Sequence, residues 1–306
     1  MLFKSLVTFT LLGSALATSV LPRDLLSLNP PVSVVQQHQQ SERRGLDARD
    51  SGAELRLDGR APSPSPVVRM TNAERLVVGL PPLPPRRRGS RTSHAARAGP
   101  SPGGSTTHGY IAAKKAGTDT LFGYVKRDYN VFGENGLTNP AATPGNPLAG
   151  ALKVILPAES DRTGPFNLEI EDPAQATYPL LGFMTGFANT SPNLAPGSFN
   201  YLYLGGVQET PAYSPPVNQP NSFTGATSID VSTESAIWNY DAATGRLTPH
   251  WINEDGSIPA VYYCYYAPDE VVIATGDMGQ FEANFGADSV QWLELYYVTA
   301  AEPTAT

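Results

Sequence analysis

The chain has 306 residues with 21 Lys or Arg and 28 Asp or Glu, so its formal net charge is −7. Residues 1–107 hold 14 basic and 7 acidic residues, a net charge of +7, whereas residues 108–306 hold 7 and 21, a net charge of −14. An acidic C-terminal part repels phosphate backbones, which excludes nucleic acid as its expected partner, and the single cysteine excludes an internal disulfide.

The first 17 residues predict a secretory signal peptide. Lys4 supplies the positive charge, residues 6–12 form a short apolar run, and Ala15-Leu16-Ala17 fits the small-residue cleavage rule. The run is too short to span about 30 Å of hydrocarbon. We therefore expect cleavage after Ala17, a secreted, extracellular protein, and no stable membrane association.

Residues 18–107 form a basic arm rich in Pro and Arg that contains no Phe, Tyr or Trp. Such a segment cannot bury enough apolar surface to offset its ordering entropy, so we predict that it is disordered. Arg43-Arg44 and Arg86-Arg87-Arg88 resemble substrates of kexin-type processing proteases. One hypothesis is a propeptide removed after Arg44 or Arg88, and the alternative is a solvated basic linker.

Residues 108–300 are predicted to form an acidic β domain, followed by a tail at residues 301–306. Short aromatic and β-branched runs are separated by Gly, Pro, Asn and Asp, which is typical of strands and turns. The regular turns between short strands indicate a sandwich or a barrel, and we expect an all-β, antiparallel β-sandwich, jelly-roll-like or similar, with a short helix or 3₁₀ turn at 277–285. The predicted strands are 109–113, 121–127, 151–156, 166–170, 199–207, 235–240, 247–253, 261–266, 271–275 and 290–298.

Residues 235–266 predict a three-strand meander. Gly245 suits the positive φ that closes a short hairpin, and residues 253–257 supply a second tight turn. Pro249 cannot donate a ladder hydrogen bond, so we expect a bulge or an edge position there.

Three blocks of the chain are distinctive: Ser235-Ala236-Ile237-Trp238 with Thr248-Pro249-His250-Trp251-Ile252-Asn253 and Asp255-Gly256-Ser257; Thr71-Asn72-Ala73-Glu74-Arg75-Leu76 with residues 79–88; and residues 196–206. These blocks resemble a group of uncharacterised secreted fungal proteins of unknown function, found mainly in basidiomycetes. The resemblance implies an extracellular β domain of fungal origin and assigns no activity to any residue.

Glu169 and Glu171 are the candidate catalytic pair. They lie two residues apart in a predicted strand and share a face, and two carboxylates about 5–9.5 Å apart can hydrolyse glycosides. The alternative, which we favour, is a solvated strand face. The domain contains only His108 and His250, and no complete calcium motif is present, so we predict no metal site and no cofactor.

Aromatic residues supply the candidate binding site. Tyr263 and Tyr265 share one face of a strand, and Cys264 lies on the other, which favours a central core strand with a buried thiol. Under the alternative, these tyrosines are exposed with Trp238 or Trp251 as a platform for sugar rings, and the thiol pairs between chains. Asn189-Thr190-Ser191 is a candidate N-glycosylation sequon.

Three functions remain open after the sequence analysis. We favour a non-catalytic extracellular binding or surface protein with cell-wall glycans as its expected partner. The alternatives are a carbohydrate-active hydrolase or lyase that uses paired carboxylates, and a structural or interaction protein whose basic arm docks onto its acidic domain or onto anionic wall polymers. The sequence does not specify an oligomeric state.

Overall fold

The computed structural model describes residues 27–54 and 106–301. The helices are α1 (Val32–Glu54), α2 (Ser222–Thr227) and α3 (Met278–Phe285). The strands are β1 (Thr107–Lys115), β2 (Leu121–Tyr129), β3 (Asn135–Leu137), β4 (Lys153–Leu156), β5 (Leu168–Ile170), β6 (Leu180–Thr185), β7 (Tyr201–Val207), β8 (Thr233–Glu234), β9 (Trp238–Tyr240), β10 (Arg246–Pro249), β11 (Tyr262–Tyr266), β12 (Val271–Thr275) and β13 (Val290–Val298).

Within residues 106–301, eight antiparallel strands close into a barrel in the order β1-β4-β5-β6-β7-β12-β11-β13. Closure comes from β1, which pairs with β13 so that Tyr110 lies opposite Val298 and Lys115 opposite Leu293. The remaining strands extend this barrel: β2 and β3 beside β1, β10 and β9 beside β13, and β8 beside β6. The prediction of a mostly β, antiparallel domain is confirmed. The two-layer sandwich is replaced by a barrel, because pairing of β1 with β13 removes the free edges.

Alternate residues of each barrel strand point inward, as the period of two requires. Leu181 and Phe183 of β6 and Leu202 and Leu204 of β7 are fully buried in this interior. An eight-stranded barrel is just wide enough for side chains to fill it. The barrel therefore contains a packed core.

A second apolar cluster covers the outer face of β7, β12 and β11. Tyr203 and Tyr266 of that face are fully buried beneath Phe223 of α2 and Phe281 of α3, and Leu28 completes the cluster. Helix α3 begins after Asp277, whose side chain accepts a hydrogen bond from the Gln280 N–H. The outer face of these strands is thus a buried interface.

The predicted meander is wrong in its third strand. The β9–β10 hairpin forms, and Gly245 closes it with φ of +78°. However, β10 then pairs with β13, and β11 lies between β12 and β13, because residues 250–261 leave the sheet. Pro249 pairs with Trp238 beyond the residues of β10 that pair with β13, so it occupies the expected edge position.

The basic arm differs from its prediction over residues 27–54. Residues 32–54 are helical, and residues 28–30 are buried against the barrel. The arm sequence has no apolar period that predicts a helix, and the contacts that hold this one come from distant parts of the chain. No helix in the described ranges is long and apolar enough to cross a membrane.

Candidate functional site

A groove of about 360 Å³ lies on the outside of the barrel where β10, β11 and β13 meet the start of α3. Tyr262 is 43% exposed and lines this groove together with Trp292. Both residues belong to the outward-facing set of their strands, opposite the residues that fill the barrel. Aromatic surface is therefore accessible at a concave site.

The polar side of the groove carries both charge signs. Arg246 Nη2 lies 3.1 Å from Glu294 Oε1, and the Tyr296 hydroxyl donates to Glu294 Oε2 at 2.8 Å. Trp292 is oriented by its indole N–H, which donates to Glu282 Oε1 at 2.6 Å. The groove thus combines aromatic faces with fixed hydrogen-bond donors and acceptors, which is the arrangement of many small-ligand sites.

A second site surrounds the backbone of Leu28. Its N–H donates to Asp269 Oδ2 at 2.7 Å, and its carbonyl oxygen accepts from the hydroxyls of Tyr201 at 2.8 Å and Tyr203 at 2.6 Å. The Ser27 hydroxyl donates to Asp269 Oδ1 at 2.9 Å. Burial raises the pKa of Asp269 and the pKa values of both tyrosines.

Glu134 lies at the base of this second site and is fully buried. Its Oε2 accepts from Asn130 Nδ2 at 2.8 Å and from Asn29 Nδ2 at 3.2 Å, and its Oε1 has no partner in the described part of the chain. Burial raises the pKa of Glu134 to about 8. A carboxyl group with this pKa is largely protonated at neutral pH.

The predicted carboxylate pair lies on the barrel surface. Glu169 is exposed between two buried neighbours in β5, and Glu171 forms an ion pair with Lys153 Nζ and a hydrogen bond with His108 Nδ1, each at 2.8 Å. The hydrogen bond from Lys153, followed by that from His108, lowers the pKa of Glu171. This environment matches the solvated strand face that the sequence analysis favours.

All four predicted platform residues pack against the core inside the barrel. Trp238 and Trp251 are fully buried, with their indole N–H groups donating to the carbonyl oxygens of Leu181 and Pro192. Tyr263 is 5% exposed, and Tyr265 is half-buried beside Phe122. These rings belong to the core, although Tyr263 also lines the groove, where Tyr262 supplies exposed aromatic surface.

Cys264 is free and buried, as expected for a small apolar residue. His250 is half-buried, its ring is 6.0 Å from that of Tyr213, and burial lowers its pKa. In residues 27–54 and 106–301, no group of three or more His, Cys, Asp or Glu side chains could hold a metal ion.

The glycosylation and cleavage sites predicted from sequence differ in their structural environments. The side chain of Asn189 bonds to the backbone of Tyr201 through both its oxygen, at 2.9 Å, and its nitrogen, at 2.7 Å. Arg44 is exposed within α1. Ala17 and Arg88 lie outside the described residues.

The residues of the second site were not identified from sequence. Asp269 lies in the turn between β11 and β12, where an acidic residue is ordinary and indicates no site. Glu134, Tyr201 and Asp269 are far apart along the chain, so no motif spacing could reveal that the fold brings them together. No protein-family model, curated protein or solved structure matches the chain. The resemblance to secreted fungal proteins therefore stays a prediction.

Proposed function

We propose that the chain is a secreted, non-catalytic protein that binds cell-wall glycans through the groove at Tyr262 and Trp292. The observation that carries this proposal is the presence of two aromatic side chains in one open concavity with the Arg246–Glu294 ion pair. Sugar rings offer apolar C–H faces to aromatic side chains and hydroxyl groups to charged ones.

The described lining of the groove favours glycan binding over glycoside hydrolysis. Among the described residues that line it, Glu294 is the only carboxylate, and it already contacts Arg246 and the Tyr296 hydroxyl. Glycoside hydrolysis ordinarily requires two carboxyl groups on opposite sides of the scissile bond. The described lining of the groove therefore supplies groups that can recognise a sugar, but not a pair of carboxyl groups that could hydrolyse it.

Retention of the secreted protein on insoluble cell-wall polysaccharides tests the proposal. The Tyr262→Ala variant should bind at least about tenfold more weakly, because the exposed ring is lost. Tyr213→Ala is the matched control, since Tyr213 is 64% exposed and does not line the groove. Equal retention of the two variants, or no retention of the unmodified protein, would refute glycan binding at the groove.

A hydrolase is the second candidate, and the second site supports it. Glu134 and Asp269 both contact residues 27–29, and the pKa of each is raised. Under this proposal the arm covers a carboxyl pair until it is displaced. Release of reducing sugars from wall polysaccharides should then appear only in Leu28→Asp and disappear when Glu134→Gln is added. Inactivity of Leu28→Asp would eliminate this candidate.

A further inference from the structure

Residues 27–30 are bound to the barrel in the manner of a peptide ligand. Leu28 is fully buried, and its side chain lies in the cluster that contains Tyr201, Tyr203 and Phe223. Asn29 is 7% exposed, and Pro30 is also buried. One apolar side chain thus anchors a segment that has no regular secondary structure of its own.

The barrel recognises both polar groups of the Leu28 backbone. Asp269 accepts from its N–H, and two tyrosine hydroxyls, from Tyr201 and Tyr203, donate to its carbonyl oxygen. Glu134 accepts from the Asn29 side chain. These four barrel residues come from three separate parts of the fold, and departure of the segment would remove a hydrogen-bond partner from each.

The hydrogen bonds described between α1 and the α2 region involve residues that precede the paired arginines. Gln39 Nε2 donates to the Ala226 carbonyl oxygen at 3.1 Å, and the Ser228 hydroxyl donates to Glu42 Oε2 at 2.7 Å. Arg43 and Arg44 are exposed. A cut after Arg44, or anywhere in residues 55–105, would therefore leave every one of these contacts in place.

We propose that Glu134, Asp269, Tyr201 and Tyr203 form a polypeptide-binding site, and that residues 27–42 remain bound there after the arm is cut. The ligand class is a peptide with an apolar residue between Ser and Asn, followed by a helix. In the intact chain the tether keeps the local concentration of this peptide high, and the contacts themselves retain it after cleavage. The site shares no lining residue with the groove, so this inference is independent of glycan binding.

The test uses the full chain with a specific protease recognition sequence inserted between residues 60 and 61. After cutting, native gel filtration at micromolar concentration should recover the N-terminal peptide with the barrel in a 1:1 ratio, measured by mass spectrometry. Recovery of the peptide in a separate, later fraction would overturn the proposal.

Variants confined to the arm separate binding from folding. Leu28→Asp should reduce co-elution of the peptide at least about tenfold, because a charge would enter an apolar cluster. Gln36→Ala, which alters an exposed residue of α1, should leave co-elution unchanged. Near-UV circular dichroism verifies that the barrel is intact in both variants. Equal co-elution of the two peptides from intact barrels would also overturn the proposal.

Discussion

Glu134 illustrates how burial can change the chemistry of one residue. It is fully buried, it accepts hydrogen bonds from two asparagine side chains, and no cation pairs with it among the described residues. Desolvation therefore outweighs the hydrogen bonds and raises its pKa to about 8, and the Asp269 charge acts in the same direction. Tyr201 and Tyr203 are its other titratable neighbours.

This raised pKa predicts a pH-dependent stability. The native chain holds a proton on Glu134 that the unfolded chain releases above its ordinary pKa of 4.5. The free energy of unfolding should therefore fall as the pH rises from 4.5 to about 8. Because Glu134→Gln cannot ionise, it should match the unmodified chain at pH 4.5 and melt about 4 °C or more above it at pH 8.

Differential scanning calorimetry at both pH values measures this effect. Glu169→Gln is the control, because Glu169 is exposed and its substitution should not alter the pH profile. Glu234 also has a pKa raised by burial, to about 8, so part of the pH dependence should persist in Glu134→Gln. Identical profiles for Glu134→Gln and the unmodified chain would show that Glu134 ionises normally in the native protein.

At the scale of elements, strand β3 positions Glu134 by lying close to the barrel. A Cβ built on Gly136 would overlap the backbone carbonyl oxygen of Glu270, in the turn before β12. The glycine is required for this close approach, since backbone atoms cannot move aside as a flexible side chain can. The same turn contains Asp269, so Gly136 brings the two carboxyl-bearing segments together.

Gly136→Ala should therefore lower the free energy of unfolding by about 2 kcal/mol or more, because β3 must move away from the barrel. Gly145→Ala is the matched control, since a Cβ there meets no atom within 4 Å, and it should change stability by less than about 0.5 kcal/mol. Urea unfolding measures both values. If Gly136→Ala left the free energy of unfolding unchanged, β3 would tolerate displacement from the barrel.

Local sequence patterns predicted well where strands lie along the chain, but predicted poorly which strands pair with each other. Strands β12 and β13 have the predicted bounds, and Gly245 closes the predicted hairpin. Strand β6 was missed because its run of apolar residues and glycine is buried on both faces and lacks alternation. The partner of β10 depends on how the barrel closes, which no local pattern encodes.

The candidate sites were harder to predict from sequence than the strands, because they also depend on tertiary packing. Sequence identifies aromatic residues, but exposure separates Trp251, which is buried, from Tyr262, which is 43% exposed. That difference is set by tertiary packing. Helix α1 likewise depends on contacts of Leu28 with residues more than 170 positions away, so the arm composition alone predicted disorder.

At the scale of the whole molecule, opposite net charges on the arm and the β domain suggest electrostatic docking. The described contacts have a different character: Leu28 is buried, its backbone is hydrogen-bonded, and Arg43 and Arg44 point to solvent. None of the ion pairs that the structure describes joins residues 27–44 to the barrel. Apolar burial and hydrogen bonds therefore dominate the association.

This distinction predicts a small effect of salt. Binding of a labelled peptide of residues 27–44 to the cut and peptide-depleted chain should weaken less than about threefold between 50 and 500 mM NaCl, because buried contacts are poorly screened. Fluorescence anisotropy at constant pH measures the dissociation constant. A tenfold or greater weakening would instead identify the basic charge of the arm as the main source of affinity.

Hydrogen exchange at the Leu28 amide tests most directly whether the arm is part of the folded domain. In the intact chain this N–H donates to Oδ2 of the half-buried Asp269 at 2.7 Å. It should exchange at least about 100-fold more slowly than in the free peptide of residues 27–44. Exchange at the free-peptide rate, while barrel amides such as that of Val272 remain protected, would contradict the account.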